Sequence, residues 1–229
     1  MARMRLARFL ARAGIAARRK CEDFIRAGRV LVNGEPGMLT SMVDPVADKI
    51  LLDGRPVREE RKVYFVFNKP KGVIVSMGGD DRGRRTMLDV ITMKERVFPV
   101  GRLDKDSEGL LFLTNDGDFA HRVLHPSFEL EKEYEIVLNV AIDDKRRAKL
   151  ERGLPIDGRP VKAKLAKTGE RKLRIIIHEG RKHIVKRLFA RLGYRVLRLR
   201  RVRIGPVRLT SLEKGAYRPL TKAEIESFG

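Results

Sequence analysis

The sequence predicts an α+β chain: a mixed, mostly antiparallel sheet domain preceded by a small N-terminal α/β domain. Three observations predict it. Strand and helix patterns follow one another without the strict alternation of a doubly wound sheet. Two short helices and small strands fill the first sixty residues, and the charged run Arg58–Lys62 then reads as a linker. The expected boundaries are 1–58 for the small domain, 59–62 for the linker and 63–229 for the large one.

Residues 3–12 place Leu6, Phe9 and Leu10 on one helical face, with arginines elsewhere around it. A second helix, about 17–27, carries Cys21, Phe24 and Ile25 inward, with Gly28 as its cap. Strands at 30–32 and 49–52 end at the turn pairs Asn33-Gly34 and Asp53-Gly54. In the large domain, 63–67 reads as a strand entering the turn Asn68-Lys69-Pro70-Lys71-Gly72, continued at 73–75. The Gly-rich loop 78–86 carries three arginines, Arg84 among them. A short helix at 87–91 and a strand at 97–100 follow.

Leu110–Leu113 is a short apolar run between turn signals and reads as a buried strand. Helices are expected at 118–124, at 143–152 with Asp143 as N-cap, at 181–192 closed by Gly193, and at 221–227 with Thr221 as cap. Strands are expected at 132–138, 161–167, 172–177, 195–202 and 207–209.

Fifty-one Lys and Arg against thirty Asp and Glu leave a net charge of +21, an excess that points to a polyanionic partner. It is concentrated in two places. Residues 1–30 hold nine basic and two acidic residues, and residues 171–208 hold fourteen basic residues against Glu179 alone. Two basic surfaces flanking a nearly neutral centre suit an extended nucleic acid. The single Cys21 allows no internal disulfide and fits a reducing compartment. No signal-peptide pattern and no apolar run of roughly 18 residues appear, so a cytoplasmic protein without a membrane span is expected.

No cofactor is indicated. The string from Asp104 starts like a calcium loop, but Asn115 stands where the closing glutamate belongs. Gly153–Pro160 has phosphate-loop glycines without the following Lys and Ser/Thr, and no dinucleotide cradle is visible. His121 and His125 have zinc-binding spacing without a third ligand, so no metal site is assigned.

The stretch Gly101–Gly117, GRLDKDSEGLLFLTNDG, puts Asp104 on a loop feeding that buried strand, where a rigid scaffold can aim it. The string resembles the catalytic motif of pseudouridine synthases, in the ribosomal RNA branch whose members carry an N-terminal S-four-type domain. RRKCEDFIRAGRVLVNG, NKPKG and EGRKHIVKRLF strengthen the resemblance, which runs from Arg5 to about Leu209. It implies the pseudouridine synthase fold and an enzyme that turns a specific ribosomal uridine into pseudouridine, with Asp104 catalytic. It leans towards large-subunit RNA. A small-subunit target, or a non-catalytic RNA-binding assembly factor, is the alternative.

By the same resemblance Arg102 helps hold a flipped-out base, Tyr134 stacks on it, Lys186 pairs with Asp104, and Lys69 lies near the substrate. RNA contact is expected from Arg5, Arg18, Arg19, Lys20, Arg26, Arg29, Arg84, Arg181 and Lys182. Ile184 departs from the family, where a polar residue is common. The reaction must break N1–C1′, turn the uracil and join C5 to C1′. Attack by a carboxylate on the sugar and attack on the base both remain open. The partner is ribosomal RNA or an assembly intermediate, met by a monomer.

Overall fold

A computed structural model of the chain describes residues 3–80 and 82–229; Asp81 of the Gly-rich loop lies outside them. Two units are present. One runs to Val63 and takes in Asn115–Gly117, and the other comprises Tyr64–Thr114 and Asp118–Gly229.

In the first unit, helices Leu6–Arg12 and Arg18–Arg26 pack Leu6, Phe9, Leu10, Cys21 and Ile25 into one apolar cluster with Val30 and Ile50. The first helix starts later than its apolar spacing implies, because Met4–Arg5 is extended and pairs with Met42–Val43. A four-stranded sheet runs in the order Glu35–Pro36, Val30–Val32, Ile50–Leu52, Arg55–Pro56. Its two hairpins close on Asn33-Gly34 and Asp53-Gly54, all four residues having positive φ, as a type I′ turn requires. Gly28, at φ 67°, ends the second helix by donating to the Ile25 carbonyl. The segment expected as a linker is tied down: Glu59 pairs with Arg12 at 3.1 Å and Lys62 with Asp116 at 3.0 Å.

The second unit is built on a nine-stranded sheet. Its main path runs Lys164–Lys167, Lys172–Ile177, Lys132–Leu138, Val196–Ile204, Glu108–Thr114, Tyr64–Lys69, Tyr217–Pro219. Val207–Arg208 and Phe98–Val100 pair at its sides. Every described strand pairing of this sheet is antiparallel except one. Val196–Ile204 and Glu108–Thr114 run parallel, with Arg200 opposite Glu108 and Arg201 opposite Gly109. Glu108–Thr114 is buried along its whole length, which is why its sequence is nearly unbroken apolar.

One apolar cluster joins Tyr134, Ile136 and Leu138 to Val185, Leu188 and Phe189 of helix Ile184–Arg191. Another joins Leu110 and Phe112 to Phe119, Val123 and Phe228. Asp143 caps helix Asp144–Arg152 by accepting from the Arg146 amide, and Thr221 caps Lys222–Glu226 in a capping box with Glu224.

Several sequence expectations are corrected. Residues 73–75 form no strand and make one bridge, Ile74 to Thr86. The strand expected at 161–167 is two: Arg159–Val161 closes a hairpin with Leu154–Ile156 over Asp157-Gly158, and Lys164–Lys167 joins the main sheet. The helix expected from residue 181 begins at Ile184, because His183 sits at φ 56° in the left-handed region and cannot propagate it. The basic segment 171–208 is also less bare than its own composition implies. Arg203 binds Glu131 and Glu133 at 2.8 Å, Arg198 reaches Glu108 at 2.6 Å, and Arg174 and Arg200 meet Glu135. These acids arrive on neighbouring strands or, for Glu131, just before one, where a count along the segment cannot see them.

Candidate active site

The loop between Gly101 and strand Glu108–Thr114 is shaped from beneath by Lys69. This side chain is fully buried, and its ammonium donates to the carbonyls of Pro70 (3.1 Å), Asp104 (3.1 Å), Lys105 (3.5 Å) and Ser107 (2.8 Å). The Gly72 amide also donates to the Lys105 carbonyl, at 2.7 Å. Burial pushes Lys69 down to about 8, against the opposing pull of Asp104, Asp106 and Glu108. Lys69 thus lies beneath the loop, closed off from solvent, and acts on Asp104 through the backbone. It gathers the loop carbonyls inward and leaves the Asp104 carboxylate to the other wall.

That wall is the start of helix Ile184–Arg191. His183 Nε2 lies 3.1 Å from Asp104 Oδ1, and Lys186 Nζ lies 3.4 Å from Asp104 Oδ2. Lys186 donates more closely to Asp106 Oδ1, at 2.6 Å. That hydrogen bond holds the Asp106 carboxyl below its ordinary range, with desolvation opposing. The expected Lys186–Asp104 pair is thus present but shared. His183 escaped sequence reasoning. Its signal, a histidine just before an apolar helical repeat, is indistinguishable from an ordinary loop residue. Ile184 is buried in the apolar cluster.

Asp104, Arg102 and Tyr134 line a cavity of about 260 Å³ together with Lys132, His183 and Arg201. Its neighbourhood follows from strand register. Tyr134 is opposite Arg201, and Arg201 is opposite Gly109, three residues before Phe112 in the buried strand. Gly109 has φ 111°, and a Cβ there would meet the Arg201 carbonyl oxygen at 2.2 Å. Only glycine permits that approach. Tyr134 is 5% exposed and Arg102 is exposed on the rim. The sequence marks Lys132 only as the first residue of a strand. It is buried, donates to the Leu130 carbonyl at 3.1 Å, and is pushed down to about 8 by desolvation and by Arg201.

Among the basic residues expected to meet RNA, Lys182 lines the cavity and is exposed. Arg181 also lines it, but binds Glu179 and donates to the Ile156 carbonyl at 2.6 Å, fastening the loop before the helix. Arg84 is held by Asp80 at 2.6 Å, which bridges both ends of its loop. In the first unit Arg29 pairs with Asp53 at 2.5 Å and lies over the Phe24 ring; Arg26 pairs with Asp23 at 3.1 Å. Arg5 donates to the Thr40 carbonyl, and Arg18 lies 3.7 Å from Glu22. Arg19 and Lys20 are exposed and have no carboxylate partner among the described residues. His121 and His125 stack on each other at 4.8 Å between centroids. No group of three metal-ligating side chains occurs among the described residues.

Comparison with known proteins places these observations. The family model for RNA pseudouridylate synthase matches residues 63–191, and that for the S4 domain matches residues 4–36. An Aquifex aeolicus protein named as an uncharacterized RNA pseudouridine synthase is 40% identical over 232 residues, covering 98% of this chain and 93% of its own. The Bacillus subtilis "Ribosomal large subunit pseudouridine synthase B" is 38% identical over 230 residues, covering 97% and 94%. A crystal structure of a pseudouridylate synthase superposes with a TM-score of 0.72 at 34% identity, covering 99% of this chain and all of its own. The chain belongs to the RNA pseudouridine synthases, as an enzyme with an N-terminal S4 domain.

Proposed function

We propose that this enzyme isomerises one uridine of ribosomal RNA, in the large subunit, with Asp104 as its catalytic residue. The observation that carries the reading is the position of that carboxylate. It is about a quarter exposed at a cavity walled by Tyr134, and the His183 imidazole and the Lys186 ammonium hold it from the helix side. The choice of subunit is supported by the likeness to the Bacillus protein, named for large-subunit RNA.

The N1–C1′ bond breaks heterolytically and its electron pair stays on the base. Asp104 meets the electron-poor sugar, or alternatively takes part by addition to the base. After the uracil turns, C5 bonds to C1′, C5 loses its proton and N1 gains one, so the composition is unchanged. Tyr134 offers a ring face to the base, and Arg102 stands at the rim where a flipped nucleotide must be held. Arg19, Lys20 and Lys182 serve the RNA backbone, with Arg5, Arg18, Arg26, Arg29, Arg84 and Arg181 contributing charge around it. The division into a 1–58 RNA-binding domain and a 63–229 catalytic domain, acting as a monomer, belongs to the same proposal. Among the described residues no helix is long and apolar enough to cross a membrane.

The test is to incubate wild-type and Asp104→Asn protein with 23S and 16S RNA and map pseudouridine by carbodiimide-dependent primer-extension stops. A stop in 23S RNA made only by wild type supports the reading. A stop in 16S RNA overturns the subunit, and a stop made equally by the variant overturns the role of Asp104.

A further inference from the structure

The cavity holds two buried cations to which no role has been assigned above. Lys132 and Arg201 are 7% and 5% exposed, and both line the wall that carries Tyr134. Lys132 donates to the Leu130 carbonyl, and Arg201 Nε donates to the Leu110 carbonyl at 2.8 Å. Arg201 Nη2 is buried without a hydrogen-bond partner. Neither side chain has a carboxylate within ion-pair distance among the described residues. The contrast with their neighbours is sharp. The buried acids Glu108 and Glu133 of adjoining strands are taken by Arg198, Lys214, Arg203 and Arg208. Two like charges in a dry wall without a counter-charge are costly, and Arg201 Nη2, unlike the Lys69 ammonium with its ring of carbonyls, is left free to take an anion.

The reaction supplies such an anion. When N1–C1′ breaks, the pair left on N1 spreads to the O2 and O4 oxygens of the ring. We propose that Lys132 and Arg201 form an anion subsite that takes the carbonyl oxygens of the departing uracil and stabilises it while it turns. The subsite rests on the reading of the Asp104 cavity as the active site. Strand register supports it, since Arg201 is the residue opposite Tyr134, so the ring face and the cation reach the base from adjacent strands. Donors aimed at charge that develops only during reaction act on the rate rather than on binding.

The groups that face Lys132 are Arg201 on the next strand, Tyr134 on its own, and Asp104, Arg102, Arg181, Lys182 and His183 around the cavity. Burial lowers its ammonium to about 8, so the subsite is fully charged below that pH and loses charge above it.

The experiment measures single-turnover release of the C5 proton from tritiated ribosomal RNA at saturating enzyme, between pH 6 and 10. RNA affinity is measured alongside, for wild type, Lys132→Met, Lys132→Arg, Arg201→Lys and Asp104→Asn. Lys132→Met is expected to slow release about 100-fold with affinity unchanged. Lys132→Arg is expected to keep most of the rate and to lose the decline above pH 8. Arg201→Lys, which retains a cation should the methionine variant fail to fold, is expected to fall in between. A Lys132→Met rate equal to wild type overturns the subsite, as does a loss confined to affinity, which marks a phosphate contact. A decline centred near pH 8 that survives unchanged in Lys132→Arg comes from another group and also overturns it. An active Asp104→Asn protein overturns instead the reading on which the subsite rests.

Discussion

Lys186 donates to Asp106 at 2.6 Å and stands 3.4 Å from Asp104, so the nearer carboxylate is the one outside the proposed chemistry. Asp106 thus acts as a tether that parks the ammonium beside Asp104. Asp104→Asn is expected to reduce turnover by at least about 10⁴-fold, as loss of a nucleophile does. Asp106→Asn is expected to cost about tenfold, by letting Lys186 move. The depressed Asp106 carboxyl gives the sign of the pH effect. The tether is complete above the ordinary carboxylate range and fails as pH falls through its lowered value. Turnover of wild type, but not of Asp106→Asn, should therefore carry this acid limb in a pH series.

His183 combines an unusual backbone with a contact to Asp104. Asn tolerates the left-handed region, whereas a β-branched residue does not. His183→Asn is expected to melt like wild type with turnover reduced about tenfold, because only the imidazole contact is lost. His183→Val is expected to lose about 1–2 kcal/mol of stability in urea unfolding as well.

Lys132 opposes stability as it serves the cavity. Its pKa falls from the ordinary lysine range to about 8 on folding, so between those values the unfolded chain binds more protons. Stability from this group rises as pH rises through that window, and the full penalty applies below it. Lys132→Met is expected to gain about 3 kcal/mol at pH 7 and nothing above about pH 10.5. Urea unfolding at both pH values checks the sign.

Gly109→Ala tests the parallel seam. A methyl group there meets the Arg201 backbone at a φ that L-residues resist. The expected cost is about 3 kcal/mol, with a lower melting temperature and lost activity.

Arg19 and Lys20 differ from Arg29 in having no carboxylate beside them. Replacing either by Ala is expected to lower the slope of log affinity against log salt by about 1, while Arg29→Ala changes it less because Asp53 already offsets that charge. Filter binding over a salt series distinguishes them.

The central motif and the strand Lys132–Leu138 were legible because their signals are local: a turn, an apolar run, an alternation. Asp143 and Thr221 were legible as caps for the same reason. Two-residue strands such as Met4–Arg5, and the edge strand Tyr217–Pro219, were not, because pairing with a distant partner defines them. The same holds within the site. Asp104 announces itself in a motif, whereas Arg201 becomes a cavity residue only when three strands assemble. One faint signal was present. Lys132 and Arg201 occupy inward positions of otherwise apolar alternations, alongside Tyr134 and Leu199, and a charge in such a place calls for a reason.

The ammonium of Lys69, ringed by four carbonyl oxygens, works as a captive metal ion would, chelated by the loop but covalently part of the chain. A chelate of this kind cannot be exchanged with the medium or stripped by a competing electrolyte. The backbone posture of Asp104 is thereby decoupled from ionic conditions, while the exposed arginines and lysines that approach RNA remain fully subject to them. Encounter and chemistry thus answer to separate variables, and a cell's salt can set how often this enzyme meets its RNA without disturbing what happens once it does.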